Sequence, residues 1–258
     1  MYQYFTIHDK GHEIHAKMYY TQLQQIRKAV VFGTGFAGHK DNNAANAFAD
    51  MLLSENDDTI VIVFNWPAHG DDEKKKLLLS DCDAYLEAVI SYLHHSFNID
   101  ELYAYATSFG GYLVLKYIYE HDNPFLRIAL RCPAVNMCEV LTETVMKDDE
   151  LERIRNNEEL PIGFDRKVII DKNLLEQLQT YDIRRYDYRN HAGRILIMHG
   201  TADEVVPFRE GKKFAADNRI RFIPFEGTDH RFQKEEDLFL AHRSVLQFFA
   251  DTKRSDQW

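Results

Sequence analysis

Tyr103-Ala104-Tyr105-Ala106-Thr107-Ser108-Phe109-Gly110-Gly111 is the stretch whose reading decides the fold. An apolar run from Leu102 to Ala106 ends at a serine flanked by small residues. A helical pattern from Tyr112 to Glu120 follows at once, so the chain reads strand, very tight turn, helix. Such a turn needs small residues two before and two after the serine, because larger Cβ substituents would collide where strand and helix cross. Ala106 and Gly110 meet that need. Ser108 then stands at a helix N-terminus, where the dipole and free N–H groups favour developing negative charge. A serine ahead of two glycines is equally an ordinary helix cap. What separates the two readings is whether an acid and a base follow at fitting positions.

Upstream, Tyr2 to Ile7 and Glu13 to Tyr20 alternate as two strands joined by Asp9-Lys10-Gly11, an antiparallel hairpin. Lys28 to Phe32 is a short buried strand that runs into Gly33-Thr34-Gly35-Phe36-Ala37-Gly38, and a helix spans about Asn43 to Ser54. Those glycines spell the G-x-G-x-x-G of dinucleotide-binding sites. Two features weaken that reading. His39 to Asn42 separates the third glycine from the helix, and the next strand, Thr59 to Phe64, ends at Asn65 where a ribose-binding acid is expected. Tyr112 and Lys116 make a Tyr-x-x-x-Lys pair of short-chain dehydrogenase type, yet both lie in the helix that Ser108 opens. The other use of such a loop is an oxyanion hole, with the Phe36 N–H turned toward the serine's substrate. His69, in the turn-rich loop Trp66 to Asp72, reads as structural rather than as a base. Asp81 to Phe97 is an amphipathic helix, and Leu126 to Cys132 is another strand.

From about Asn136 to Asn190 the alternation of strand and helix breaks down. This stretch is heavily charged and reads chiefly as solvated surface, with Tyr181, Tyr186 and Tyr188 available to a pocket or to surface packing. Order resumes with the strand Arg194 to Met198, followed by His199-Gly200-Thr201-Ala202-Asp203-Glu204. After a helix (Phe208 to Ala216) and a strand (Ile220 to Phe225) come Gly227-Thr228-Asp229-His230, and a helix from about Asp237 to Ala250 closes the pattern. Ser108, Asp203 and His230 each follow a different strand, so a parallel sheet brings all three to one edge. Acyl transfer through serine needs a neutral imidazole to take the hydroxyl proton and a carboxylate to orient that imidazole. Glu204 and Asp229 are alternatives to Asp203, although Asp229 adjoins His230 and is poorly placed to reach its neighbour's ring.

With 258 residues and 45% hydrophobic content the chain can bury one large core, and a single domain spanning 1–258 with an insertion at 136–190 is expected. A net charge of −10 argues against nucleic acid or an anionic membrane as partner. The three cysteines have no metal-like spacing and suit a reducing, cytoplasmic setting; neither a signal segment nor a membrane-length apolar run is visible. His8, His12 and His15 read as surface residues of the hairpin rather than a metal site, and His94-His95 does not share a helix face. No metal or cofactor is expected.

The chain resembles the α/β-hydrolase superfamily through Ala106-x-Ser108-x-Gly110-Gly111, the Thr34 to Gly38 loop, the His69-Gly70 loop, His199 to Pro207 and Gly227 to His230. It is most similar to the cinnamoyl and feruloyl esterase group of bacterial carboxylesterases. The resemblance implies an α/β fold with a mostly parallel sheet, an N-terminal antiparallel hairpin, helices on both faces and a small lid at 136–190. It implies Ser108 as nucleophile, His230 as base, Asp203 as orienting acid, and an oxyanion hole from the N–H groups of Phe36 and Phe109. The group carries His-Gly-Phe where this chain has Thr34-Gly35-Phe36, and glycine where it has Ala106. A small-molecule ester is the expected substrate, with a thioester, an acyl acceptor or a peptide served by the same machinery. A non-catalytic binding protein and a nicotinamide enzyme are the rival classes, and the pattern is compatible with a homo-oligomer.

Overall fold

The computed structural model describes residues 1–72 and 75–251. The domain expected over 1–258 also takes in residues 73–74 and 252–258, which lie outside the described residues. β1 (Tyr2–Asp9) and β2 (His12–Tyr19) form the expected hairpin. There follow β3 (Lys28–Gly33), α1 (Asn43–Leu53), β4 (Thr59–Phe64), α2 (Leu79–Ser96), β5 (Glu101–Thr107), α3 (Phe109–Glu120) and β6 (Arg127–Arg131). The inserted segment holds α4 (Met137–Glu139), a π-helical turn at Val140–Val145, α5 (Asp148–Arg155), a small hairpin of β7 (Leu160–Ile162) and β8 (Val168–Ile170), and α6 (Lys172–Thr180). The alternation then resumes with β9 (Ile195–Gly200), α7 (Phe208–Asp217), β10 (Arg221–Phe225) and α8 (Glu235–Ala250).

The main sheet runs β1-β2-β4-β3-β5-β6-β9-β10, antiparallel across β1, β2 and β4 and parallel from β4 onward. Strands covered on both faces cannot alternate polar and apolar residues, and β4 (Thr-Ile-Val-Ile-Val-Phe) is buried along its whole length. In β5 the two faces separate cleanly. Ala104 and Ala106 enter the core shared with α2, α3 and α7, whereas Tyr103 and Tyr105 enter the core under α1 and α8. Because β5 lies between β3 and β6, its C-terminal end emerges at the middle of the sheet edge. Among the described residues no helix is long and apolar enough to cross a membrane.

The insertion departs from the expectation of a solvated, charged surface. Its charged residues do face outward, but Ile154, Ile162, Val168, Ile170 and Leu174 are all fully buried in the same core as α2 and α3. The apolar positions look isolated in sequence because each short element contributes only one or two of them. The tyrosines pack rather than line a pocket. Tyr188 is fully buried and donates its hydroxyl to the Leu115 carbonyl at 3.1 Å, Tyr186 stacks on Tyr119 at 3.8 Å, and the Tyr181 carbonyl accepts the Tyr112 hydroxyl at 3.1 Å. All three tie the end of the insertion to α3.

Removing only the hydroxyl in Tyr188→Phe is expected to cost about 1 kcal/mol, and Tyr188→Ala about 3–5 kcal/mol, in denaturant unfolding. An unchanged midpoint for the alanine variant would contradict the role of Tyr188 as a buried anchor.

Candidate active site

Between β5 and α3 the backbone makes its sharpest turn at Ser108, with φ 51° and ψ −118°. A non-glycine residue held at positive φ costs on the order of 1–3 kcal/mol unless its surroundings fix it. Here the Ser108 N–H donates to the Arg131 carbonyl at 3.0 Å, and the Ser108 carbonyl accepts from Tyr112 and Ala134, both at 3.1 Å. Close approach supplies the rest. A Cβ on Gly110 would lie 2.5 Å from the Thr34 carbonyl oxygen, and one on Gly35 would lie 3.2 Å from Ser108 Cβ. The glycine run of residues 33–38 therefore packs against the serine turn. α1 begins only at Asn43, capped by the Asn42 side chain, so the run does not open a helix as a dinucleotide site requires. Lys116, the lysine of the discounted Tyr-x-x-x-Lys pair, is buried with its ammonium between Asp83 at 2.6 Å and Glu120 at 2.5 Å.

The structure brings Ser108, His230 and Asp203 together. Ser108 Oγ lies 3.0 Å from His230 Nε2, and His230 Nδ1 lies 2.8 Å from Asp203 Oδ2. A carboxylate only accepts, so Nδ1 carries the proton and the Nε2 lone pair faces the serine hydroxyl. Asp203 has a fully buried side chain with every acceptor site used. Oδ1 accepts from the N–H groups of Val205 at 2.9 Å and Val206 at 2.8 Å, and Oδ2 accepts from His230 and faces His199 Nε2 at 3.1 Å, whose N–H it shares with the Val206 carbonyl at 3.0 Å. Burial pushes the Asp203 carboxyl up. The hydrogen bonds from His199 and His230, the charge of His230 and the Val206 N–H outweigh it and hold the group well below the usual carboxylate range. Glu204 instead accepts from the His230 backbone N–H at 3.3 Å, and Asp229 accepts from the Gln233 N–H at 3.2 Å. Neither acid takes the place of Asp203 at the ring.

Phe36 and Phe109 stand on either side of Ser108, their rings edge-to-face at 5.8 Å. Thr34, which occupies the position of the group's usual histidine, is fully buried with an unpartnered hydroxyl, and its carbonyl accepts the Trp66 indole N–H at 3.0 Å. The loop is thus braced from the body of the protein rather than by its own side chain. His69 stacks on Phe109 at 6.0 Å, and its Nδ1 donates to the Pro67 carbonyl at 2.8 Å. Burial lowers its pKa to about 4 against the opposing hydrogen bond to Pro67, so it is a neutral packing residue at ordinary pH. In the hairpin, His15 Nδ1 lies 3.1 Å from Thr6 Oγ1 and His12 packs edge-on against Tyr85.

Two groups of potential metal ligands occur among the described residues. In Cys132, Asp203 and His230, the carboxylate and both ring nitrogens are already spent on hydrogen bonds. In Asp83, Glu120 and His121, the Lys116 ammonium already sits on both carboxylates. Neither donor set is open in the way a metal site requires.

A cavity of about 1200 Å³ extends from Ser108 and His230 toward α1 and α8, bordered by Phe164 and Arg166 of the insertion and by Val140 and Val145 of the π turn. Sequence reasoning missed His199, which lies against Asp203, and Arg131 and His242, which border the cavity. His199 was visible only as the residue before Gly200. Arg131 and His242 drew no reading from the sequence, and both are buried.

Residues 63–255 match the prolyl oligopeptidase family. The chain belongs to that family. No curated protein matches the sequence. Among solved structures, Est1E from Butyrivibrio proteoclasticus with bound ferulic acid superposes with a TM-score of 0.76 at 18% identity, covering 95% of this chain and 97% of that one. A putative hydrolase from Agrobacterium vitis S4 gives 0.72 at 18% identity over 96% and 98%. A monoacylglycerol lipase from Paleococcus ferrophilus gives 0.64 at 18% identity over 92% and 98%. At these identities the likeness is one of fold, and the fold is that of the α/β-hydrolases. As a member of the prolyl oligopeptidase family, the chain is a hydrolase.

Because His69 titrates near 6.5 when unfolded and about 4 when folded, only the unfolded state takes up its proton between those values. Its contribution to stability is therefore full above pH 6.5 and is lost as pH falls toward 4, at roughly 1.4 kcal/mol per pH unit. His69→Phe is expected to flatten the decline of melting temperature with pH in that window. A slope identical to that of the native protein would show that His69 is not buried neutral.

Proposed function

We propose that the protein hydrolyses carboxylic esters of small acyl or aryl-acyl groups, with Ser108 as nucleophile, His230 as general base and acid, and Asp203 as the group that orients His230. The observation that carries this reading is the hydrogen-bonded line from Ser108 Oγ through His230 to Asp203, at 3.0 and 2.8 Å. As Oγ attacks the ester carbonyl, its proton passes to His230 Nε2, and the buried Asp203 carboxylate stabilises the imidazolium. Charge develops on the carbonyl oxygen, for which the N–H groups of Phe36 and Phe109 serve as donors. Collapse expels the alcohol with the proton from His230. Water, deprotonated by the same ring, then releases the acid and restores Ser108. The reaction needs no cofactor.

In this reading the chain acts as one domain, with the segment 136–190 as a lid whose Phe164 and π turn shape the mouth of the cavity. Three unpaired cysteines support a cytoplasmic location. The likeness to Est1E, solved with ferulic acid, makes aryl-acyl esters the first substrates to try. The family match favours a second reading, cleavage of a peptide amide by the same residues.

The test is turnover of p-nitrophenyl acyl esters, methyl hydroxycinnamates and matched anilides by the native protein and by Ser108→Ala. Ester turnover is expected to fall by at least about a thousandfold in the variant. Anilide turnover exceeding that of matched esters would favour the peptidase reading, and equal inertness of both proteins toward every substrate would defeat both readings.

A further inference from the structure

Arg131 ends β6, one strand away from the nucleophile, and its carbonyl holds the Ser108 N–H. Its guanidinium lies beside Phe232 on the α1/α8 side of the sheet, and the residue borders the same cavity as Ser108. The residue is only 7% exposed, yet Nη1 is buried without a hydrogen-bond partner. Among the described residues its compensation is neutral: the face of Phe232, whose ring centroid lies 5.2 Å from the guanidinium carbon, and the nearby Tyr105 hydroxyl. The neighbouring acids are engaged elsewhere. Asp203 is saturated by four donors, Asp165 pairs with Arg231 at 3.3 Å, and Asp41 is shared by Lys17, Lys40 and the Tyr4 hydroxyl. Glu235 and Glu236 are exposed at the mouth, in solvent that screens them.

Two more polar groups accompany Arg131. His242, 1% exposed, also borders the cavity with an unpartnered Nε2, and the fully buried Tyr105 hydroxyl is unpartnered behind it, the two rings 5.8 Å apart. Burial and the charge of Arg131 lower the pKa of His242 to about 3, so it stays neutral, with one ring nitrogen able to donate and the other to accept. A buried cation without a counter-ion among the described residues, beside two buried polar groups that lack hydrogen-bond partners, is a costly arrangement for a protein interior. It is relieved by an anion, and a guanidinium fork matches a carboxylate best.

We propose that Arg131, with His242 and the Tyr105 hydroxyl, forms an anion subsite in the floor of the cavity that receives a carboxylate carried by the substrate. The preferred esters are then those with a second, ionised carboxylate, on either the acyl or the alcohol part. This deepens the ester-hydrolase reading and rests on it.

The experiment compares kcat/KM for monomethyl esters of C4 to C6 dicarboxylic acids, for O-acetyl hydroxy acids, and for the uncharged analogue of each. The native protein is expected to favour one anionic series over its neutral partner by at least about tenfold, the worth of a hydrogen bond to a charged group. Whichever series is favoured identifies the part that carries the carboxylate. In Arg131→Met the anionic-to-neutral ratio is expected to collapse toward one, with Arg131→Lys intermediate. A native ratio near one, or a ratio unchanged in Arg131→Met, would overturn the subsite while leaving ester hydrolysis standing. Calorimetric titration of Ser108→Ala with glutarate and adipate reads the subsite without turnover. Binding lost on adding Arg131→Met supports the subsite even if no ester is cleaved, and absence of binding in Ser108→Ala counts against it.

Discussion

A serine backbone bent into a conformation that serine avoids is the constraint on which the rest of this molecule depends. Ser108 keeps φ 51° only because three neighbours over-determine it: the β6 carbonyl of Arg131, the first turn of α3, and the glycine loop pressed against it from β3. Each of these presupposes the others. The loop reaches the turn only where β3 pairs with β5, Gly33 opposite Ala106, and Arg131 reaches it only where β6 pairs with β5 in the register that sets Thr107 opposite Arg131. Local strain at one residue is thus carried by the pairing of three strands.

The same economy governs the acid. The side chain of Asp203 is fully buried, which by itself would favour protonation. Two histidines and two backbone N–H groups supply four donors for its two oxygens, so the charge persists out of contact with water. With no acceptor site vacant, the carboxylate cannot rotate without breaking hydrogen bonds, and the ring of His230 is held with it. Burial without partners, as at Arg131, gives the opposite situation: a charge whose environment is incomplete. Two ionised groups near one cavity are treated differently, and the difference points to what the cavity is built to admit.

How far the sequence could be read follows from the range of each signal. The strands and helices of the sheet were legible because period and turn chemistry are local. Ser108, Asp203 and His230 were legible as candidates because each follows a strand, and parallel strands end together. The insertion was misread because its buried residues are spread singly over short elements, so no window of sequence contains a face. Tyr188 was misplaced for the same reason: its partner, the Leu115 carbonyl, lies 73 residues away. His199, Arg131 and His242 carry no local mark of burial. A histidine within a polar helix face and an arginine at a strand end are ordinary until the opposite side of the sheet is known.

The hydrogen bond between Ser108 and His230 joins residues 122 positions apart, across β5, β6, β9 and β10. Contacts of that range are the slowest to form, because the loop they close is long and the strands between them must dock first. The N-terminal hairpin and the strands around Trp66 can assemble from nearer neighbours. The Ser108–His230 contact therefore exists only where β5, β6, β9 and β10 are all in place. The Trp66 indole, by contrast, is held by the Thr34 carbonyl within the N-terminal half of the chain, so its surroundings and the Ser108–His230 contact depend on different parts of the sheet.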